Sequence, residues 1–324
     1  MRVPGSAPPL PAREHAGMSE PLRVGLVGAG PWAQMFTGPM LAASPDATFV
    51  GIWARRPEAA TELAAQLSST HGVTAYDDID ALFAACQAVT FSVPPDVQAD
   101  LAARAARAGV AVLLDKPVGA NVGQAEALAA AVDEGGAVSQ VILTNRYFDA
   151  MRTFLDTARR ADVYGGRASF FGNGCVPGTY FGTPWRIAEG GLLDLGPHVL
   201  DGLDAALGRI VQIEARGDVQ RLVLLECEHE NGRVSQAALS ATSNQNGGLR
   251  VEVHGLDEAH TFDAGAFEPE QAAAEFATAQ RRIVAELAAA VAAGRPHELD
   301  VHHGLHLQRL IDDAAAQLAA PRPR

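Results

Sequence analysis

The sequence predicts an α/β chain in two parts: a doubly wound parallel sheet, then an α/β half built on a large, mainly antiparallel sheet. Two observations carry this. From residue 22 to about 144, continuous apolar runs of four to eight residues alternate with amphipathic stretches rich in alanine and leucine, the pattern of strands buried on both faces and covered by helices. Beyond about residue 145, apolar–polar alternation takes over and strand-like segments follow one another directly, which is the pattern of antiparallel pairing.

The elements follow in order. "LRVGLVG" ends in glycines and leads into helical material up to about Ser44; "ATFVGIW" leads into "PEAATELAAQLSS". "AVTFSV" precedes "PDVQADLAARAARAG", "VAVLLD" precedes "NVGQAEALAAAVDEGG", and "AVSQVILT" closes the series. The right-handed crossover rule turns such a series into a doubly wound sheet. A helix at "FDAMRTFLDTARR" opens the second half, followed by "GRASFFGN", "RIVQIEARG", "RLVLLECEHE", "RVSQAALSAT" and "LRVEVHG", with turn signals at "ENGR" and "NQNGG". Helices close the chain over residues 268–294 and near 303–319. The expected organisation is a loose extension over residues 1–20, a doubly wound unit of the nucleotide-binding type over 21–144, and an α/β unit over 145–324.

Composition excludes several classes. The 324 residues are 48% hydrophobic and 19% charged, ordinary for a globular chain long enough for about two domains. A formal charge of −13 argues against nucleic-acid or anionic-membrane partners, which need a basic surface. The cysteines Cys86, Cys175 and Cys227 are odd in number and widely spaced, which fits reduced thiols in a cytoplasm rather than disulfides or a metal site. The first 20 residues lack the apolar centre of a signal sequence. They read as an extension in which Met18 is an alternative start.

"VGLVGAGPWA" places Gly28 and Gly30 after the first strand, with Ala33 where the third small residue of a dinucleotide fingerprint belongs. The glycines permit a tight turn and close approach of backbone to a pyrophosphate seated on a helix N-terminus. Gly28, Gly30, Pro31, Trp32 and Ala33 are therefore candidate cofactor-binding residues. A tight turn without ligand is the alternative. The usual acidic reader of an NAD ribose is missing after the second strand, where "GIWARRPEAA" offers Arg55 and Arg56. Two guanidiniums before a helix start are unfavourable unless an anion joins them. A 2′-phosphate supplies one, so NADP is favoured over NAD, the alternative being two solvated arginines. Ser92 and Pro94, in "SVPPD" after the next strand, are candidate walls of the nicotinamide ribose pocket.

Lys116 is the only lysine in the chain; the other 24 basic residues are arginines. It follows "VAVLLD", at the carboxyl edge of the sheet where open α/β folds bind ligands. Pro117 keeps it out of helical dihedrals, and Asp115, Lys116 and Pro117 of this turn are candidate cofactor-binding residues. A compact ammonium can donate to a hydroxyl or ketone oxygen and share a proton, whereas a guanidinium stays charged and needs fork geometry. A chance surface lysine, or one paired with Asp115, is the competing reading.

In the second half, "WRIAEGGLLDLGPHVLDGLDAALG" gathers Asp194 and His198 around Gly190, Gly191 and Pro197. Pro197 is expected as the first residue of a helix, with His198 in the first turn, where the positive helix end keeps imidazole neutral and ready to accept a proton. Asp194 is expected to orient His198 or to bind a substrate hydroxyl, and Asp201 to support the helix. Asn145 and Arg146, after the last parallel strand, are expected to reach the ligand edge; Trp185 and Arg186 are expected to close the site or to pack. His302 and His306, in "HHGLH", have helical spacing, but no cluster completes a metal site. A solvated helix face is preferred there, and no metal is expected.

Three stretches together resemble the glucose–fructose oxidoreductase, inositol dehydrogenase and MocA family of NAD(P)-dependent enzymes: "GAGPWA", "DKP" where the family more often has Glu-Lys-Pro, and "GGLLDLGPHVLD". The resemblance covers about residues 22 to 320. It implies a Rossmann domain followed by an α/β domain with an open antiparallel sheet whose flat outer face makes homodimers or homotetramers. It also implies that Lys116 and His198 flank the substrate carbon that exchanges hydride, and that Asp194 holds substrate. The expected activity is reversible oxidation of a secondary alcohol on a sugar, polyol or cyclitol. An NADPH-dependent carbonyl or imine reductase is the alternative enzyme, and a cofactor-sensing protein without chemistry the alternative class.

Overall fold

The computed structural model describes residues 20–67, 72–244 and 247–320. Met18 and the expected N-terminal extension lie outside the described residues. Strand β1 (Leu22–Val27) runs into the glycine turn, a π-helical turn (Ala33–Thr37) and helix α1 (Gly38–Ala43). Then follow β2 (Ala47–Trp53), α2 (Pro57–Leu67), β3 (Thr74–Tyr76), α3 (Ile79–Ala85), β4 (Ala88–Phe91) and α4 (Pro95–Arg107). β5 (Ala111–Asp115), α5 (Val122–Gly135) and β6 (Ser139–Ile142) complete the first sheet. Its order is β3-β2-β1-β4-β5-β6 with every pair parallel, the doubly wound order that reverses direction beside β1. The apolar runs are buried on both sides, as in Ala88–Phe91, where every residue is enclosed.

The second half begins with α6 (Asp149–Arg160) and β7 (Val163–Phe171), then α7 (Pro184–Glu189) and the long α8 (Gly191–Leu207). Strands β8 (Ile210–Gly217), β9 (Val223–His229), β10 (Val234–Ser240), β11 (Gly248–Gly255) and β12 (Ala259–Asp263) join β7 in the order β12-β11-β7-β10-β9-β8. All neighbours are antiparallel except β7 and β10. Burial alternates strictly along β9, with Val223, Leu225, Cys227 and His229 inside. One face of the sheet is thus covered by helices and the other left open.

α8 lies under the covered face and is almost wholly enclosed. Leu192, Val199, Leu200, Leu203 and Leu207 are each at most 2% exposed, and burying such side chains stabilises by about 1.5–3 kcal/mol apiece. Helices α9 (Pro269–Ala293) and α10 (Val301–Ala319) return to the first sheet. Val141 N donates to Leu299 O at 2.7 Å and Gln140 Nε2 to Ile283 O at 3.0 Å. The two halves consequently share one continuous apolar core, and α8 is held in fixed register against the carboxyl edge of the first sheet.

One helix boundary differs from the sequence expectation. Pro197 does not open a helix: α8 begins at Gly191, one turn and a half earlier, and Pro197 lies within it. Gly190 at φ +78° makes the entry, a conformation L side chains rarely adopt. An internal proline removes an N–H and pushes against the carbonyl one turn back, here that of Leu193; the next carbonyl, Asp194 O, accepts from Lys116 Nζ. Among the described residues no helix is long and apolar enough to cross a membrane.

Candidate active site

The glycine turn leaves β1 at the point where the sheet order reverses. Gly28 has φ +114°, and a Cβ there would meet Ser92 O at 2.4 Å, so the turn lies directly against the segment after β4. Ser92 N donates to Val27 O at 2.8 Å, and Ser92 and Thr37 hydroxyls bond at 2.9 Å. At Gly30 the situation is opposite: a Cβ would meet nothing within 4 Å. The turn therefore presents bare backbone to open space. The first helical hydrogen bond beyond it runs from Gln34 N to Gly30 O, so the amides of Trp32 and Ala33 precede the helical ladder and are available to an anion. This shape fits a dinucleotide pyrophosphate. Trp32 stacks on Phe36 at 4.5 Å, with its Nε1 buried and without a partner. Pro94 is exposed after β4, and Arg55 and Arg56 are exposed after β2. Arg56 lines a cavity of about 170 Å³ with Ala29, Gln34, Glu58 and Glu62.

Across the crevice, Lys116 leaves the end of β5 through a cis peptide to Pro117 and reaches α8. Its Nζ donates to Asp194 O at 2.7 Å and to Asp194 Oδ1 at 2.9 Å. Arg186 Nε donates to the same Oδ1 at 3.0 Å. The Arg186 guanidinium lies over the Trp185 ring, 4.6 Å from its centroid, and 5.8 Å from that of Phe181. Burial would push the Asp194 carboxyl up, but Lys116 and Arg186 outweigh it and hold the group well below the usual carboxylate range. Asp115 accepts the Lys116 backbone N–H at 2.8 Å; burial pushes its carboxyl up to about 6, against the pull of Lys116 and Arg186. Lys116 is thus paired with Asp194, not with Asp115.

His198 sits one turn beyond Asp194 on α8, 9% exposed, against the Phe170 ring at 5.8 Å. Burial first, and the Lys116 ammonium second, push its pKa down to about 3. The imidazole is neutral, as the sequence suggested, but for a different reason: it lies inside the helix, and desolvation replaces the expected effect of a helix end. Its Nδ1 is enclosed without a partner. Asp194 does not orient it, since Oδ1 is taken by Lys116 and Arg186.

Other expected residues fall elsewhere. Arg146 does not turn toward the crevice: its guanidinium is buried, donating to Asp201 Oδ1 at 2.6 Å. The same oxygen is bonded to His303 Nε2 at 2.8 Å. Asp201 thus supports α8, as expected, and Arg146 joins it in that role because a buried guanidinium needs a carboxylate. Asn145 is half-buried in the turn after β6. His302 is solvated beside Asp133, whereas His306 is buried on Asp204 Oδ1 at 2.9 Å, so only part of "HHGLH" is a solvated face. No cluster among the described residues could hold a metal ion.

Two features escaped the sequence. A loop of the second half reaches the glycine turn: Tyr180 Oη donates to Pro31 O at 3.0 Å, and Phe181 lies edge-on to Trp32 at 6.1 Å. Gln98, 1% exposed on α4, bonds the backbone around Lys116. A glutamine among the buried alanines of that helix was the available signal.

Residues 22–143 match the model of an oxidoreductase family described as having an NAD-binding Rossmann fold, GFO_IDH_MocA. Among solved structures, GenD2 from gentamicin A biosynthesis, in complex with NAD, is 23% identical over 96% of this chain and 98% of its own, with a TM-score of 0.77. The myo-inositol dehydrogenase of Corynebacterium glutamicum is 19% identical over 92% of this chain and 96% of its own, with a TM-score of 0.78. UDP-N-acetylglucosamine 3-dehydrogenase GnnA of Acidithiobacillus ferrooxidans is 20% identical over 92% and 97%, with a TM-score of 0.74. These likenesses establish a shared fold along nearly the whole chain. Over residues 22–143 the chain is thus similar to the Gfo/Idh/MocA family of NAD-binding Rossmann-fold oxidoreductases.

Proposed function

We propose that the chain is an NAD(P)-dependent dehydrogenase that oxidises a secondary alcohol on a sugar, polyol or cyclitol. One observation carries the reading: Lys116, from the end of β5, is bonded to Asp194 of α8, and the neutral His198 lies one helical turn on. A bound nicotinamide would exchange the hydride. The chain supplies the proton chemistry. With Nδ1 enclosed, His198 Nε2 is the nitrogen that can meet a substrate hydroxyl and take its proton. Lys116 Nζ, held by Asp194, has one N–H left to donate to the oxygen as charge develops on it. Asp194 and Arg186 fix the ammonium so that little reorganisation accompanies the step.

Arg55 and Arg56 support NADP over NAD, since each can meet a 2′-phosphate at the end of β2. The open face of the second sheet supports a homodimer or homotetramer. Tyr164, Leu224 and Val234 are exposed there, apolar side chains that a partner could cover. Three buried free thiols, Cys86, Cys175 and Cys227, support a reducing cytoplasm.

The test is reduction of NADP and NAD by a panel of sugars, polyols and cyclitols, with Lys116→Met and His198→Ala alongside. Both variants should lose most turnover while cofactor binding survives. Near-normal turnover in both would refute the assignment. Activity confined to NADPH with carbonyl or imine substrates would move the reaction to the reductase class.

A further inference from the structure

We propose that Gln98 is the positioning residue for the Lys116 ammonium, standing in for a missing strand at the end of β5. The inference rests on the reading of Lys116 as a group that meets substrate. β4 pairs with β5 only as far as Thr90 and Leu113, so the backbone of Asp115 on that side lies beyond the last strand partner. Gln98 fills the gap. Its Oε1 accepts from Asp115 N at 2.8 Å, and its Nε2 donates to Asp115 O at 2.8 Å and to Pro117 O at 3.1 Å. A side-chain primary amide is the group that copies a peptide unit, with an acceptor and a donor side by side, and it carries a second proton for Pro117. A carboxylate would accept one bond and donate none.

The grip is buried and its neighbours are unable to replace it. The other enclosed positions of α4 are Pro95 and alanines, and buried backbone groups left without partners are disfavoured. Gln98 touches residues 115 and 117, on both sides of Lys116, while Asp115 Oδ1 holds the Lys116 N–H itself. The lysine can choose neither its Cα position nor its direction of departure. Its long, flexible stem then needs to settle only its outer torsions to place Nζ between the Asp194 carbonyl and carboxylate oxygens.

The single lysine makes this measurable without a substrate. In full-length protein grown with 15N-lysine, one side chain carries label, and its Nζ resonance and ammonium proton exchange report on Lys116 alone. Asp194→Asn defines the signal of an ammonium without its carboxylate partner. Gln98→Met, which keeps volume and loses all three bonds, should move the Nζ resonance at least half of the way to that signal and speed exchange at least ten-fold. The destabilising core change Leu128→Ala should leave the resonance in place, separating positioning from general loss of stability. Should Gln98→Met not fold, Gln98→Glu, which retains the acceptor alone, carries the same comparison. A folded Gln98 variant with wild-type Nζ shift and exchange overturns the inference. The functional reading fails by a different route, through turnover retained in Lys116→Met.

Discussion

Lys116 and Asp194 are joined twice, through Nζ to the Asp194 carbonyl at 2.7 Å and to its carboxylate at 2.9 Å. The pairing solves two problems together. It ties a carbonyl of α8 to the end of β5, and it seats the ammonium where the two halves of the chain meet. Arg186 shares the same carboxylate oxygen, so one carboxylate is bonded to two cations, with Asp115 close by.

Asp194→Asn tests that pairing. The substitution keeps shape and removes charge, leaving Lys116 and Arg186, both under 15% exposed, without the carboxylate they are bonded to. Breaking a buried pair on one side is expected to destabilise by about 3–5 kcal/mol. Urea midpoints measure it, and turnover should fall with Lys116 no longer held. A loss below about 1 kcal/mol, the level of an exposed pair, would show that the cluster is open to water.

Gly28 and Gly30 should part company under the same substitution. Gly28→Ala places a Cβ 2.4 Å from Ser92 O in a residue at φ +114°, so the turn must shift and stability should drop by about 1–3 kcal/mol. Gly30→Ala meets nothing and should fold like wild type, yet bind the dinucleotide at least about ten-fold more weakly, a difference of about 1.4 kcal/mol. Thermal melts and cofactor titrations distinguish the two effects. Equal cofactor affinity in Gly30→Ala would mean that the pyrophosphate does not approach this turn.

How far the sequence reached differs by element. β1, β2, β4, β5 and β6 were legible because each is an apolar run that ends at a turn. β3 was not: three residues, Thr74–Tyr76, at the sheet edge with none fully buried leave no periodic trace. The start of α8 was misplaced because proline at a first helical position is a strong local rule, and burial with a lysine from another element overrode it. The parallel pairing of β7 with β10 is invisible to local alternation, which marks strands but not neighbours. That Lys116, Asp194 and His198 are singled out was legible, and the structure brings Lys116 onto Asp194 with His198 one turn on. Their couplings were not legible, since Arg186 and Gln98 act through contacts that only the assembled chain creates.

Arg55 and Arg56 should not contribute equally to cofactor choice. Arg56 lines the cavity beside the glycine turn, together with Glu58 and Glu62. A charge-assisted hydrogen bond to a 2′-phosphate is worth about 1.5–3 kcal/mol, so Arg56→Ala should weaken NADP by roughly 10- to 100-fold and leave NAD unchanged. Arg55→Ala should do less. Glu62→Gln should tighten NADP, because it removes a like charge from the same cavity. Fluorescence titration with both dinucleotides checks all three, and an unchanged NADP-to-NAD ratio in Arg56→Ala would assign the ribose end to other residues.

His198 and Asp115 should give stability opposite dependences on pH. His198 falls from 6.5 unfolded to about 3 folded, so its contribution is complete above 6.5 and is lost as pH falls toward 3. Asp115 rises from 3.8 to about 6, so its contribution is complete below 3.8 and is lost as pH climbs through 6. Between 3.8 and about 6 the unfolded chain protonates the histidine while the folded chain protonates the aspartate, and each slope is at most about 1.4 kcal/mol per pH unit. Opposed, they largely cancel in the wild type. His198→Gln should remove the rising limb, so that stability relative to wild type falls as pH increases across this window. Asp115→Asn should do the reverse. Every other titrating group is common to the proteins compared, so urea midpoints taken across the window isolate the two residues. Parallel curves for wild type and His198→Gln would mean that the imidazole titrates as it does in water and is not enclosed on α8.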